Sequence, residues 1–331
     1  MKVKTDNYYT VLFILSFLFI ANGQMAMPGK MEVGTEKTVM LKSENDSSIT
    51  VIDSRGETVI IKKHPKRVLP IYTTYLNLWY ECGGTAVGRP TAGLAQLPED
   101  TWKLPVTGHV TTPDLEKILS LKSDLILLRN GFPGHSRIIP MLSRLNIPFF
   151  SIKYDNFADY LALADIFSRL TGRDDIRIDS LPKIKSEVDR LIASVTKLKS
   201  PKVLILFGSS MGVIVKLPDS FVGSMIRELG GKNIAYDAKL TSDDMQIFSM
   251  ERIIEKDPDI ILIQTMGKQE MVKRKIDSGI ESNPAWKTIT AVKNRRVYYL
   301  PIATFLYKPN KEFPKSYRYL AKLLYGDSFV E

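Results

Sequence analysis

Residues Gly208 to Gly212 read GSSMG behind the apolar run VLILF, a match to G-x-S-x-G. At the end of a strand that pattern is the sharp turn that presents a nucleophilic serine, here Ser210. A hydrolase of this kind needs a helix directly after the serine and a histidine later in the chain. VIVKLP, Val213 to Pro218, reads instead as strand, and the last of the three histidines, His135, precedes the serine. The motif fails both requirements, so an exported serine hydrolase is the weaker reading. The two glycines are better explained by a turn and by close approach of backbone to a ligand, with Ser209 or Ser210 as hydrogen-bond donors. Three histidines, His64, His109 and His135, are too few for a bare zinc or manganese site built from several imidazoles and carboxylates. The single cysteine, Cys82 in LNLWYECGG, allows no internal disulfide and reads as a small buried hydrophobe near a helix end.

The other chemistry-bearing feature is a repeated phrase. PDLEKILSLKSDLILL, Pro113 to Leu128, aligns without a gap on SMERIIEKDPDIILI at an offset of 135 residues, placing Glu116 on Glu251 and Asp124 on Asp259. Each copy reads as a short amphipathic helix, a tight turn and a buried strand. The apolar positions are explained by packing, whereas each glutamate lies in a first helical turn, where a carboxylate suits the helix dipole. As a pair at one offset they read as matched surface features on two similar lobes.

The elements around these residues follow from composition and period. A chain of 331 residues favours two domains, and 44% apolar with 25% charged residues suffices for packed cores. Lys2 and Lys4, the apolar run Val11 to Ala21 and the small residues Ala21 and Gly23 have the order of a secretory signal, residues 1–23, cleaved after Gly23. The run is shorter than the roughly 20 residues that span a bilayer. The cysteine-terminated cleavage box of lipoproteins is missing, so a soluble periplasmic protein is expected. Export removes nucleic acid as the partner of the net charge of +10 and leaves anionic small molecules or a membrane surface. Residues 24–47 are pattern-poor and read as a tether. ITVIDSRGETVII reads as a hairpin. Residues 48–155 then alternate parallel-type strands (RVLPIY, DLILL, PFFSI) with helices Leu115 to Leu121 and Ile138 to Leu145. NFADYLALADIFSRLTG predicts a helix over 156–172, stopped by Gly172, and a second follows near Ile184 to Leu198. Strand–helix alternation resumes through KVLILF, DIILI and RVYYLP to a helix near Ser316 to Leu324, so residues 173–331 form a second α/β lobe.

On these phrases, from Ile49 to Tyr325, the chain resembles the substrate-binding proteins of ABC importers for iron chelates, haem and cobalamin. The segments carrying the likeness are VIDSRGETVIIKKHPKRVLPI, GHVTTPDLEKILSLKSDLILL, SMERIIEKDPDIILI and PAWKTITAVKNRRVYYLP. The resemblance implies two Rossmann-like lobes joined by one long helix, a ligand in the cleft between them and little hinge motion. It also implies no intrinsic cofactor and a monomeric carrier. One glutamate on each lobe would dock onto a symmetric permease dimer served by its ATPase, and those positions fall on Glu116 and Glu251.

In α/β sheets ligands sit beyond the carboxyl ends of strands. The loops there offer Tyr72, Thr73 and Tyr75 of YTTY, Arg89, His109, Arg129 and His135 in the first lobe. The second lobe offers Ser209, Ser210 and Met211, Tyr236, Met245, Met266 and Lys268, and Tyr307 with Lys308. Cationic side chains would meet carboxylates of haem or a ferric siderophore, while Tyr and Met ligate iron or stack on a ring. In haem-binding relatives the axial ligands come from the loop before the PDxE phrase and the loop after the matching second-lobe strand. Those loops hold His109 and Met266. His64, beside Pro65 and among lysines, reads as exposed.

Overall fold

Local turn chemistry sets the first sheet. The computed structural model describes residues 38–93, 97–209, 212–236, 250–267, 269–276 and 283–330. Ser48–Ile52 (β2) and Thr58–Lys62 (β3) pair antiparallel across a turn in which the Asp53 carboxylate accepts the N–H groups of Arg55 and Glu57, at 2.9 and 3.2 Å. This is the expected hairpin. A third strand, Met40–Glu44 (β1), pairs with β2 and falls inside the stretch expected to be tether. Four of its five side chains face solvent, so it carries no alternation to read. Glu44, at its end, is held by Lys63 and Arg169.

The first lobe's parallel sheet runs β4-β7-β8, with β4 at Val68–Pro70, β7 at Leu125–Arg129 and β8 at Phe149–Ile152. Between β4 and β7 lies a hairpin of Gly108–His109 (β5) and Thr112–Pro113 (β6). The second lobe's sheet is separate. Lys202–Ser209 (β9) turns back as the antiparallel Gly212–Val215 (β10), and Lys232–Asn233 (β11), Ile260–Thr265 (β12) and Val297–Tyr299 (β13) are parallel to β9 or to one another. A strand, not a helix, therefore begins at Gly212.

The repeated phrase folds the same way twice. The helices Leu115–Ser120 and Met250–Lys256 end at Lys122 and Asp257, both left-handed with φ of 47° and 42°. The next strand starts behind an aspartate that clamps its neighbour. Asp124 accepts the N–H groups of Lys66 and Arg67 at 2.7 and 2.9 Å, and Asp259 accepts that of Lys202 at 2.7 Å. Even the return contact is copied: Arg67 donates to the Leu121 carbonyl, and Lys202 Nζ to the Lys256 carbonyl.

Alternation along the central strands joins the lobes. Leu125 and Leu127 of β7 face one core, while Ile126 and Leu128 face another. In β12, Ile260 and Leu262 face that same first core, and Ile261 and Ile263 face a third. One continuous apolar core thus takes an inner face from both sheets. The bridging helix Phe157–Thr171 fills it with Phe157, Tyr160, Leu163, Phe167 and Leu170. This helix matches the segment expected to link the lobes, and its ends are built for it. Asn156 and Asp159 form a capping box at 2.9 and 3.2 Å, and Gly172 closes it with φ of 78°. His64, exposed as expected, donates its backbone N–H to Leu170 O at the helix end. The second helix, Leu181–Val195, begins earlier than its apolar pattern suggested, because Pro182 fits a first helical turn.

Candidate functional site

The C-terminal ends of the first-lobe strands bring together side chains from three separate loops. Tyr72 follows β4 in an extended conformation, Arg129 ends β7, and Asp155 follows β8. The Arg129 guanidinium lies 5.4 Å over the Tyr72 ring and 3.2 Å from Asp155 Oδ1. The same oxygen faces Lys308 Nζ of the second lobe at 3.6 Å, and that ammonium also lies 3.9 Å over the Phe221 ring. Burial pushes the Lys308 ammonium down to about 7, with Asp155 pulling the other way. Burial raises the Asp155 carboxyl, but Lys308 and Arg129 outweigh it and hold it below the usual range. Arg129 and Lys308 share one carboxylate, so the place where the lobes meet carries net positive charge whenever Lys308 holds its proton. A second link crosses nearby. Tyr154 donates to Asn310 Oδ1 at 3.0 Å, and Asn310 Nδ2 donates to Glu81 at 3.2 Å.

Lys308 lines a cavity of about 740 Å³ between the lobes, with Asn77, Tyr80 and Glu81 on one side and Ile302 and Tyr307 on the other. That size suits a large planar or chelated ligand. Burial raises the Glu81 carboxyl against the hydrogen bond from Asn310. Of the residues expected at the ligand, Tyr307 and Lys308 line this cavity, and Tyr72 and Arg129 join it through Asp155. Asp155 was missed, although it lies in the loop after PFFSI, where the same strand-end rule points. Asn77, Tyr80 and Glu81 come from the helix Thr73–Glu81, to which that rule does not reach.

His109 projects from the β5–β6 hairpin and is exposed. Its Nδ1 lies 2.7 Å from Thr111 Oγ1. Nδ1 also accepts the Thr111 N–H at 3.3 Å, so the hydroxyl donates to it as well and the ring proton lies on Nε2. Met266 is the first residue past β12, 42% exposed, with its N–H on Gly208 O at 2.9 Å. Ser209 ends β9 and is buried. Ser210, Met211, Met245 and Lys268 lie outside the described residues. Among the described residues no three His, Cys, Asp or Glu side chains gather as a metal cluster.

Several expected ligand residues have other work. Tyr75 is fully buried and donates to Ile152 O at 2.7 Å, and burial raises its phenol well above the ordinary value. Its spacing to Leu78, Trp79 and Cys82, all buried, is the helical signal that reveals an inward face. Thr73, in the first turn of the same helix, is 9% exposed. Arg89 spends its guanidinium on the carbonyls of Pro90 and Trp102, at 3.5 and 3.4 Å, and so ties a loop together. Tyr236 lies at the other end of the second sheet. The two residues of β11 pair with the start of β9, and the chain leaves there to put the Tyr236 hydroxyl 3.1 Å from Lys256 Nζ. It belongs with Lys202 and Lys232, away from the strand ends that hold the cleft loops.

Glu116 and Glu251 are both exposed, each in the first turn of its helix. Asp114 caps the first of these helices by accepting the Lys117 N–H at 3.2 Å, which leaves the Glu116 carboxylate uninvolved in that cap.

Two α/β lobes fused through a helix and a common core, with a large cavity between them, have the architecture of a two-lobed ligand-binding protein. Residues 70–304 match the family model described as periplasmic binding protein, and the chain belongs to that family. It is 28% identical over 247 residues to the high-affinity haem uptake system protein IsdE of Staphylococcus aureus strain Newman, covering 73% of this chain and 81% of the relative. The structure of S. aureus IsdE complexed with haem superposes with a TM-score of 0.64 at 26% identity, over 78% of this chain and 98% of that one. An ABC transporter substrate-binding protein from Listeria monocytogenes EGD-e gives a TM-score of 0.67 at 24% identity, over 80% and 100%. The vitamin B12 binding protein BtuF of Vibrio cholerae gives 0.65 at 16%, over 79% and 97%, and shares the fold.

Proposed function

We propose that this protein is an exported, monomeric carrier that binds haem in the interlobe cleft and delivers it to an ABC permease dimer driven by its ATPase. The relationship to a haem-uptake protein supports the ligand class. The observation that carries the reading is His109, an exposed imidazole on the first-lobe hairpin whose Nδ1 is engaged by Thr111, so that Nε2, on releasing its proton, is the nitrogen that meets the iron. Met266, past the matching second-lobe strand, is the second axial ligand. Arg129 and Lys308 at the cleft base receive the propionates, and Tyr72 and Tyr307 pack on the ring. The lobes are residues 48–155 and 173–331, and residues 1–23 are the export signal. Glu116 and Glu251 dock the permease from either lobe. The iron belongs to the cargo, and no chemistry is performed on it.

A ferric siderophore is the second reading, favoured by the same pair of cations at the cleft base, and a corrinoid the third. The visible spectrum of the purified protein expressed under iron supply separates them. A Soret band is expected. A broad charge-transfer band means a siderophore, a corrin spectrum means cobalamin, and either refutes the haem reading. A serine-hydrolase probe is expected to leave Ser210 unlabelled.

A further inference from the structure

The hairpin that carries His109 is small, two residues in each strand around Val110 and Thr111. A hairpin of that size has no stability of its own, so something else must hold its tip. Two neighbouring residues do so. A Cβ placed on Gly134 would lie 2.1 Å from the Thr111 carbonyl oxygen and 2.6 Å from its carbon, so the hairpin tip rests directly on the Gly134 backbone. His135 comes next and is fully buried. Its Nδ1 accepts the Arg129 N–H at 2.9 Å, which puts the ring proton on Nε2. That N–H faces the Val110 backbone at a geometry short of a full hydrogen bond. Phe132 and Tyr72 close the ring edge-on at centroid distances of 5.3 and 6.2 Å. Burial, chiefly, pushes this imidazole down to about 4, so it stays neutral and its tautomer stays fixed across the physiological range.

We infer that Gly134 and His135 are positioning residues for ligand binding: they seat the His109 hairpin on the end of β7 and hold it in register with Arg129. The inference rests on the haem reading for its consequence, though not for its mechanics. One imidazole is bonded to the backbone of the strand carrying the cleft-base cation and stands against the turn beside the axial imidazole. The height of His109 over the cleft is therefore preset before the ligand arrives.

Hydrogen exchange on the ligand-free full chain tests the mechanics. His135→Phe removes both polar contacts and is expected to speed exchange of the Arg129 amide and of the hairpin amides by about tenfold or more. His135→Asn keeps an acceptor where Nδ1 stood, so the Arg129 amide stays protected while the hairpin still loosens. Haemin titration then tests the consequence. Gly134→Ala and His135→Asn are expected to weaken haemin binding by about tenfold or more and to shift its visible bands toward those of His109→Ala, with cooperative melting retained. Should Gly134→Ala fail to fold, His135→Asn carries the same comparison. Unchanged hairpin exchange, or wild-type bands and affinity in the variants, overturns the inference. If the wild type itself leaves the haemin spectrum unchanged while the hairpin amides respond as described, the haem reading fails and the anchoring stands.

Discussion

Replacing Asp155 with Asn removes the one carboxylate shared by Arg129 and Lys308 while keeping its shape. The separations are 3.2 and 3.6 Å, and the side chains are 23% exposed for both Asp155 and Arg129 and 9% for Lys308. At an effective dielectric of 20 each attraction is about 5 kcal/mol, much of which solvent screens at the exposed ends. The variant leaves the Arg129 guanidinium without its countercharge, a change that costs about 3–5 kcal/mol when burial is complete, and takes from Lys308 the carboxylate that opposes the lowering by burial, so that ammonium sheds its proton. Discounted for the residual exposure, the expected loss is about 2–4 kcal/mol, or very roughly 4–12 °C in melting temperature. Urea unfolding followed by tryptophan fluorescence measures it. Because both sheets share one core, the loss should appear in a single transition. Adding Lys308→Met to Asp155→Asn should restore part of the stability, since a methionine neither has to shed a proton on folding nor leaves a buried amine without a partner. A loss below about 0.5 kcal/mol, or a double variant no better than the sum of the singles, would refute the view that this carboxylate clamps the lobes.

The same lysine gives a pH dependence of definite sign. Lys308 releases its proton near pH 7 in the native state, but only near its ordinary value of 10.5 when unfolded. Unfolding therefore takes up a proton between those values, and stability contributed through this group rises with pH across that window. Lys308→Met should flatten that slope in denaturation curves measured from pH 7 to 10. Asp124→Ala should cost about 2 kcal/mol and Asp259→Ala about 1, because the first leaves two backbone N–H groups unmet and the second one. Equal losses would argue against the clamp. Glu116→Ala with Glu251→Ala should abolish ligand uptake by cells while leaving ligand affinity within about twofold, a change of only about 0.4 kcal/mol. An equal loss of binding would argue against the proposed docking role.

Much of this architecture was legible in the sequence, since its determinants are local. The repeated helix, left-handed turn and buried strand follow from apolar period and from charges at fixed offsets, and Asp124 and Asp259 perform in space the same act that they occupy in the alignment. The bridging helix announces its ends through Asn156, Asp159 and Gly172. The edge strand β1 was hidden because solvent on most of its face leaves no period. Tyr75 and Tyr236 both lie near predicted strand ends, yet one turns inward with its helix and the other leaves a two-residue strand at the wrong end of the sheet.

Residue order alone sets the two-lobed α/β plan, the linking helix, the matched glutamates and the loops from which a ligand site must be drawn. Folding in three dimensions is what brings Arg129 and Lys308, from loops of two lobes, onto one oxygen of Asp155, and sets Gly134 and His135 under the hairpin of His109. Helix period and caps are read within a few residues. Which loops meet depends on how two sheets press their inner faces into a common core, and no short stretch of chain encodes that.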